Sequence, residues 1–182
     1  EVEGIPQLQI ALKPATGEVI DRYALAGEDE AREATAAALR TFRETNWKSD
    51  RALRSRVLHE MAERFEARAA DLIQLLSTET GKVVPDATFE VGTAAPALRY
   101  CAALVRTEYG RVAEWEHGHF SLLVREPIGV AGISVPWNAP VALLIRSLAP
   151  ALAAGCTTVV KMPGQTAQLN ALISEVISDV TS

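Results

Sequence analysis

The strongest constraint on the fold is a strand–loop–helix–strand pattern in residues 125–166. Residues 130–135 form a short apolar run that includes glycine, which is typical of a fully buried strand. Residues 141–154 are apolar on nearly every side, as in a helix covered by protein, and Gly155 follows where helices commonly end. Residues 157–160 are all β-branched and predict a second buried strand. The pattern predicts a βαβ unit of two parallel strands with a right-handed crossover.

The loops after these two strands are the expected place for a ligand. Ligands of open parallel sheets lie outside the carboxyl ends of the strands. Trp137 and Asn138 follow the first strand between Pro136 and Pro140, so this loop is stiff and cannot join a sheet. Residues 161–164 follow the second strand. Both segments are therefore candidates for the functional site.

Two side chains in these loops could carry chemistry. The amide of Asn138 could donate a hydrogen bond to a developing negative oxygen, or it could satisfy backbone groups of its own loop. From the residues alone, the second interpretation is preferred. The amine of Lys161 is a flexible point charge with three donors, which suits a ribose hydroxyl or a phosphate.

The residues before this unit predict a hairpin and then a helical region. Residues 7–12 and 18–23 have strand periodicity around a Pro-Ala-Thr-Gly turn. Helical periodicity begins at Glu28, and Asp50 is placed to cap a long helical region that ends near Gly81. A further helix is predicted over residues 86–108.

Four more features of this part of the sequence lead to predictions. Pro96 should kink or divide the helix over residues 86–108. Glu79 and Lys82 are predicted to be solvated residues at a helix end. A second hairpin is predicted over residues 111–125, with His117 and His119 exposed in its turn rather than binding metal.

Composition and charge exclude several classes of protein. The formal net charge of −5 gives no electrostatic footprint for nucleic acid. Cys101 and Cys156 form neither a disulfide framework nor a metal-binding spacing, and they favour a reducing, cytoplasmic compartment. Cys156 is expected to be a small buried thiol between helix and strand. The first residues do not resemble a signal peptide, and no apolar run approaches the roughly 18 residues that span a bilayer.

Several short motifs in a fixed order resemble the aldehyde dehydrogenase superfamily. They are the Pro-Trp-Asn loop, the Ala-Pro-Ala-Leu-Ala-Ala-Gly helix end, and the Val-Val-Lys segment, and the match extends over nearly the whole chain. The resemblance implies an α/β fold with a Rossmann-like parallel sheet, incomplete here. It adds an amino-terminal hairpin, a helical region and a protruding oligomerisation hairpin. The chain ends inside a helix predicted over residues 168–180, so we expect it to be the amino-terminal part of an enzyme.

By the same resemblance, the expected domains are three segments of the chain. Residues 1–108 would be the amino-terminal hairpin and helices of the cofactor-binding domain, and residues 109–126 the oligomerisation hairpin. Residues 127–182 would be the first βαβ of the NAD(P)-binding domain, truncated. The expected partners are a small aldehyde and further copies of the chain, as a homodimer or homotetramer.

The resemblance also implies roles for individual residues. Asn138 would serve the oxyanion hole, which reverses the preference reached from the residues alone. Lys161 would contact the adenosine ribose of NAD or NADP. The backbone of residues 133–137 would line the cofactor cleft, and the Trp137 ring would either line it too or pack in the core. The remaining cofactor-binding residues are thus Ile133, Ser134, Val135, Pro136, Trp137 and Gly164.

Gly164 departs from the family pattern, which has an acidic residue at this place. A carboxylate there would repel a 2′-phosphate, so its absence predicts that NADP is tolerated. Since no arginine replaces it nearby, the choice between NAD and NADP stays open. Ala139, Leu143 and Ile145 would face the aldehyde channel, and the small Ala139 leaves room for an aromatic substrate.

The implied reaction oxidises an aldehyde to the carboxylic acid with NAD(P)+. It passes through a thiohemiacetal on a cysteine outside this sequence, so the chain alone is expected to be inactive. Two alternatives stay open. The chain could be an inactive truncated fragment that binds nucleotide or another subunit, or the parent protein could perform CoA-dependent or reductive acyl chemistry on the same fold.

Overall fold

The computed structural model describes residues 8–178 and residue 180. It begins with an antiparallel hairpin of β1 (Leu8–Leu12) and β2 (Val19–Ala24). Gly17 has a φ of 73° in the turn, a value that glycine adopts readily. The predicted hairpin is confirmed, although Gln7 lies outside the described residues.

Three helices follow the hairpin. They are α1 (Glu28–Glu44), α2 (Arg51–Ala67) and α3 (Ala69–Thr80). Asp50 caps α2 as predicted, because its side chain accepts a hydrogen bond of 2.8 Å from the Leu53 amide. The predicted long helical region is divided at Arg68, and it ends with Gly81 in the left-handed conformation at φ 73°.

The helix predicted around Pro96 is two helices. α4 (Val84–Gly92) and α5 (Ala94–Thr107) are separated at Thr93. Pro96 lies in the first turn of α5, where its missing N–H removes no intrahelical hydrogen bond. The prediction that proline divides this segment is therefore confirmed.

The second hairpin stands apart from the core. It pairs β3 (Arg111–Glu116) with β4 (His119–Leu123), and every residue of both strands is exposed. His117 and His119 are exposed at its turn, as predicted.

The βαβ unit has the predicted order and direction. β5 (Val130–Ser134) and β6 (Thr157–Lys161) are parallel and joined by α6 (Pro140–Ala154), which ends at Gly155 with φ 93°. A short 3₁₀ turn (Gly164–Thr166) leads into α7 (Ala167–Ile177).

Two predictions about this unit were wrong. The last helix was predicted to reach residue 180, but it ends at Ile177 because Ser178 is extended, with ψ 155°. The strands were predicted to be fully buried, but of their ten residues only Thr157 is buried. Helices α1 and α6 contact both strands, yet within the described part of the chain the sheet has no third strand to cover its edges.

The core lies between the helices and the sheet. Its largest fully buried side chains come from α2, α3, α5, α6 and α7: Leu58, Met61, Phe65, Leu72, Leu76, Leu98, Leu144, Ile145, Leu169 and Ile173. Trp47 connects the helical region to the sheet, since its indole N–H donates to the Cys156 carbonyl over 2.8 Å. Cys156 is buried, as predicted. Among the described helices, none is long and apolar enough to cross a membrane.

Candidate functional site at the carboxyl ends of the parallel strands

The two parallel strands end side by side, and their last residues are exposed. Ser134 and Lys161 are paired in the register of the sheet. The Val135 amide donates to the Lys161 carbonyl over 3.0 Å, so the pairing continues one residue past β5. The structure therefore places the two predicted ligand-binding loops next to each other, at the edge where parallel sheets bind ligands.

The loop after β5 presents polar and aromatic groups to solvent. Trp137 is 55% exposed, so within the described residues its ring does not pack in the core. Asn138 is also exposed, and among the described residues none hydrogen-bonds its side-chain amide. That N–H₂ group is therefore available to a ligand.

The side chains of three predicted residues face the core. Val135 is 3% exposed and Ile133 packs against the core, so only their backbone, which is the part predicted to line the cleft, can reach a ligand. Ile145 was predicted to face an aldehyde channel, but it is 1% exposed inside the core. That prediction was wrong, because this face of α6 packs on α5.

The backbone of the Asn138 loop is held by an ion pair from another part of the chain. Lys82 forms a salt bridge with Glu90, and its ammonium also donates to the Asn138 carbonyl over 3.0 Å. The side chains of Lys82 and Glu90 are only 19% and 5% exposed. Lys82 was predicted to be solvated, and that prediction was wrong.

Glu90 also caps helix α6. One of its carboxylate oxygens accepts from the Val141 amide over 2.9 Å. The N-cap residue of α6 is Ala139, which has no side-chain acceptor, and the first turn of α6 contains no acidic residue. Glu90 thus supplies from α4 the negative charge that the positive end of α6 favours.

Glu79 caps helix α7 in the same way. Its two carboxylate oxygens accept from the Gln168 amide over 2.9 Å and from the Leu169 amide over 2.8 Å. Thr166, the N-cap residue of α7, makes no side-chain cap. Glu79 is 2% exposed, so the prediction of a solvated helix end was wrong for this residue too. Its position on α3 turns it inward towards the α7 terminus.

Burial raises the pKa of the Glu79 carboxyl, and the two backbone amides oppose this effect. The folded state therefore binds the proton more tightly than the unfolded chain, in which the pKa is near the ordinary value of 4.5. The free energy of unfolding should fall as pH rises from 4.5 to the raised pKa, and it should be unaffected by this group outside that interval.

Glu79→Gln is expected to abolish this fall in the free energy of unfolding with rising pH. The difference in Tm between wild type and Glu79→Gln should therefore shrink as pH rises through the interval, in thermal melts at a series of pH values. Glu66→Gln is a control of opposite sign, because a hydrogen bond from Arg99 lowers the pKa of Glu66. The stability that Glu66 contributes should be lost as pH falls. A Glu79→Gln difference that grows with pH would contradict the account.

Gly164 lies against the amino-terminal hairpin. A Cβ at this position would lie 2.5 Å from the Tyr23 hydroxyl, so a side chain here requires the Tyr23 ring to move. Tyr23 donates to the Gln9 side chain over 2.9 Å. A groove of about 460 Å³ lies beside them and is also lined by Lys161 and Glu79. Tyr23 thus lies where a side chain at 164 would begin.

These residues fit an extended, polar ligand. The Lys161 cation and the Ser134 hydroxyl lie exposed on the last residues of the two strands, and the Asn138 amide and the Trp137 ring lie exposed on the loop after β5. Stiff loops anchored by buried carboxylates keep such donors in place. The geometry is suited to a nucleotide with a reacting carbonyl compound beside it.

Comparison with known proteins identifies the family. The sequence profile described as the aldehyde dehydrogenase family matches residues 6–181. The chain is 38% identical over 161 residues to the mitochondrial succinate-semialdehyde dehydrogenase of Arabidopsis thaliana, covering 87% of this chain and 30% of that protein. The chain belongs to the aldehyde dehydrogenase family.

Solved structures agree. A point mutant of betaine aldehyde dehydrogenase from Staphylococcus aureus, in complex with NAD+, superposes with a TM-score of 0.91 at 25% identity, over 97% of this chain and 36% of that one. An NAD-dependent benzaldehyde dehydrogenase from Corynebacterium glutamicum superposes with a TM-score of 0.87 at 26% identity, over 97% of this chain and 39% of that one. The α/β fold predicted from the sequence is confirmed. The chain spans about a third of the length of these relatives.

Proposed function

We propose that the protein containing this chain oxidises an aldehyde to a carboxylic acid with NAD+ or NADP+. The chain would supply one wall of the nucleotide cleft and the oxyanion donor. A cysteine outside this sequence would attack the aldehyde, which splits one difficult step into two. The observation that carries the proposal is the exposed Asn138 amide, held at the carboxyl end of β5 by a buried ion pair.

In this proposal, Asn138 stabilises charge as it forms. Attack on the aldehyde carbon places a negative charge on the carbonyl oxygen, and a preorganised N–H donor lowers the energy of that state. The Asn138 backbone is held through its own carbonyl, which fixes the point from which the side chain leaves the loop. Lys161 and Ser134 would bind and orient the nucleotide. The bound nucleotide would accept the hydride from the substrate.

The test is aldehyde-dependent reduction of NAD+ or NADP+, followed by absorbance, with the intact mass of the source protein measured on the same sample. A mass far above the calculated 19.6 kDa together with turnover supports the proposal. A species near 19.6 kDa without turnover would favour the inactive nucleotide- or subunit-binding fragment. Product release that requires CoA would favour CoA-dependent acyl chemistry instead.

We propose that NADP+ is accepted as well as NAD+. Position 164 carries no carboxylate to repel a 2′-phosphate, and Tyr23 lies where such a side chain would begin. We also propose an aromatic aldehyde as the substrate, because Ala139 beside the loop is small. Similarity to a benzaldehyde dehydrogenase structure supports this proposal.

Lys161→Ala is expected to weaken nucleotide binding by about 10- to 100-fold, the usual range for a hydrogen bond from a charged donor. The measurement is calorimetric titration of the intact protein with NAD+ and NADP+ separately. Lys13→Ala is the control, since Lys13 is a partly exposed lysine directly after β1 and does not line the groove beside Lys161. Unchanged affinity in Lys161→Ala would remove this residue from the site.

The exposed hairpin of β3 and β4 is proposed as a contact between subunits in a homodimer or homotetramer. It exposes several large apolar side chains: Val112, Trp115, Phe120, Leu122 and Leu123. Single exposed apolar residues are common on proteins, but five on one protruding hairpin favour a partner. This exposed apolar surface supports the division into segments 1–108, 109–126 and 127–182.

A cytoplasmic location is also proposed, in keeping with the two free cysteines.

A further inference from the structure

We propose that Lys82 and Glu90 are positioning residues for the oxyanion donor. They fix the backbone directly after the Asn138 side chain. Lys82 holds the carbonyl of Asn138 itself, and Glu90 holds the amide of Val141 three residues later. The proposal rests on the proposed function of Asn138, and it explains how the fold holds that residue in place.

The arrangement is one connected unit. One carboxylate oxygen of Glu90 pairs with the Lys82 ammonium, and the other accepts from the Val141 amide. Lys82 therefore connects the cap of α6 to the loop that precedes α6. Removing either charge leaves the other charge partly buried without its partner, and the Asn138 loop loses one of its two anchors.

The chain shows that this anchoring is specific to each loop. Glu79 caps α7 through Gln168 and Leu169, and among the described residues it makes no hydrogen bond to the Asn138 loop. α3 and α4, on either side of Gly81, thus carry one buried carboxylate for each helix that follows a parallel strand. Glu79 and Glu90 form a matched pair in which each should affect only its own loop.

Hydrogen exchange tests the positioning without any need for turnover. In Lys82→Met, amides in residues 136–143 of the intact protein should exchange about 10- to 100-fold faster, as expected when a charged hydrogen bond is lost. Residues 164–170 should keep the wild-type rate. Glu79→Gln should show the reverse pattern. If residues 136–143 exchange at the wild-type rate in Lys82→Met, the proposal is overturned.

Kinetics then test whether the positioning acts through Asn138. Lys82→Met should lower kcat by about 10- to 100-fold at a temperature where it is folded, with the KM for the nucleotide unchanged, since small misplacements of a catalytic group are costly. In an Asn138→Ala background the same change should have less than about a twofold further effect, because residues that act as a unit are non-additive. A purely structural role predicts additive effects, which would overturn the proposal.

Conservative variants separate loss of charge from loss of folding. Lys82→Arg keeps the cation and should recover most of the kcat lost in Lys82→Met. Glu90→Gln keeps an acceptor for Val141 but loses the ion pair, and it serves as the second variant if Lys82→Met does not fold. A wild-type protein without aldehyde turnover would refute the proposed function, whereas the exchange pattern would still decide whether Lys82 and Glu90 hold the loop.

Discussion

Asn138→Ala in the intact protein is expected to lower kcat by about 10²- to 10³-fold, the usual cost of removing one oxyanion donor. The side chain is exposed, and no described residue hydrogen-bonds its amide, so its loss should leave the fold unchanged. The KM for the nucleotide should stay at its wild-type value, because the effect belongs to the transition state rather than to cofactor binding.

Steady-state kinetics and a thermal melt of the same sample make this measurement. Asn46→Ala is the matched control, since Asn46 is an exposed asparagine far along the chain from the strand ends, and its turn is held through its backbone carbonyl. The control should retain wild-type kcat. A change of less than about threefold in Asn138→Ala would mean that the oxyanion is stabilised by other groups.

Arg54→Met is expected to destabilise the fold by about 3 kcal/mol or more, because it leaves buried carbonyl groups without donors. Arg54 is 4% exposed on α2. Its guanidinium donates to the carbonyls of Trp47 and Lys48 over 2.8 and 2.9 Å, and to that of Ala153 over 3.2 Å. Ala153 is in the last turn of α6, where the helix dipole also favours a cation.

Chemical denaturation of the intact protein measures this effect. Methionine keeps much of the length of arginine, so most of the loss should come from the hydrogen bonds rather than from a cavity. Arg56→Met is the control, since Arg56 is exposed on the same helix and its substitution should change stability by no more than about 0.5 kcal/mol. Equal effects in the two variants would show that the Arg54 contacts contribute little.

The sequence was sufficient to predict the elements that position the site. Local signals were enough here, namely β-branched residues in β6, a long apolar helix, and Gly155 at its end. Adjacent parallel strands place their carboxyl ends together, so the pairing of Ser134 with Lys161 at that edge followed from the topology. The extent of burial did not follow, since it depends on what covers each face of the sheet.

The anchoring glutamates could not be assigned roles from local signals, because their partners are far away in sequence. Glu90 accepts from a backbone amide 51 residues later, and Glu79 accepts from one 89 residues later. One signal was nevertheless present. Leu72, Leu76 and Glu79 are spaced by four and three residues, which places Glu79 on the buried stripe of α3. A carboxylate on such a stripe needs buried donors, and only the fold shows that these are helix N-termini.

The most direct test of the central claim is a crystal structure of the intact protein with NAD+ or NADP+ bound. We expect the nucleotide to lie across the carboxyl ends of β5 and β6, with the Lys161 ammonium within hydrogen-bond distance of a ribose hydroxyl. We also expect the Asn138 amide to face the reacting end of the nucleotide. A nucleotide bound elsewhere, with Asn138 turned away from it, would contradict the account.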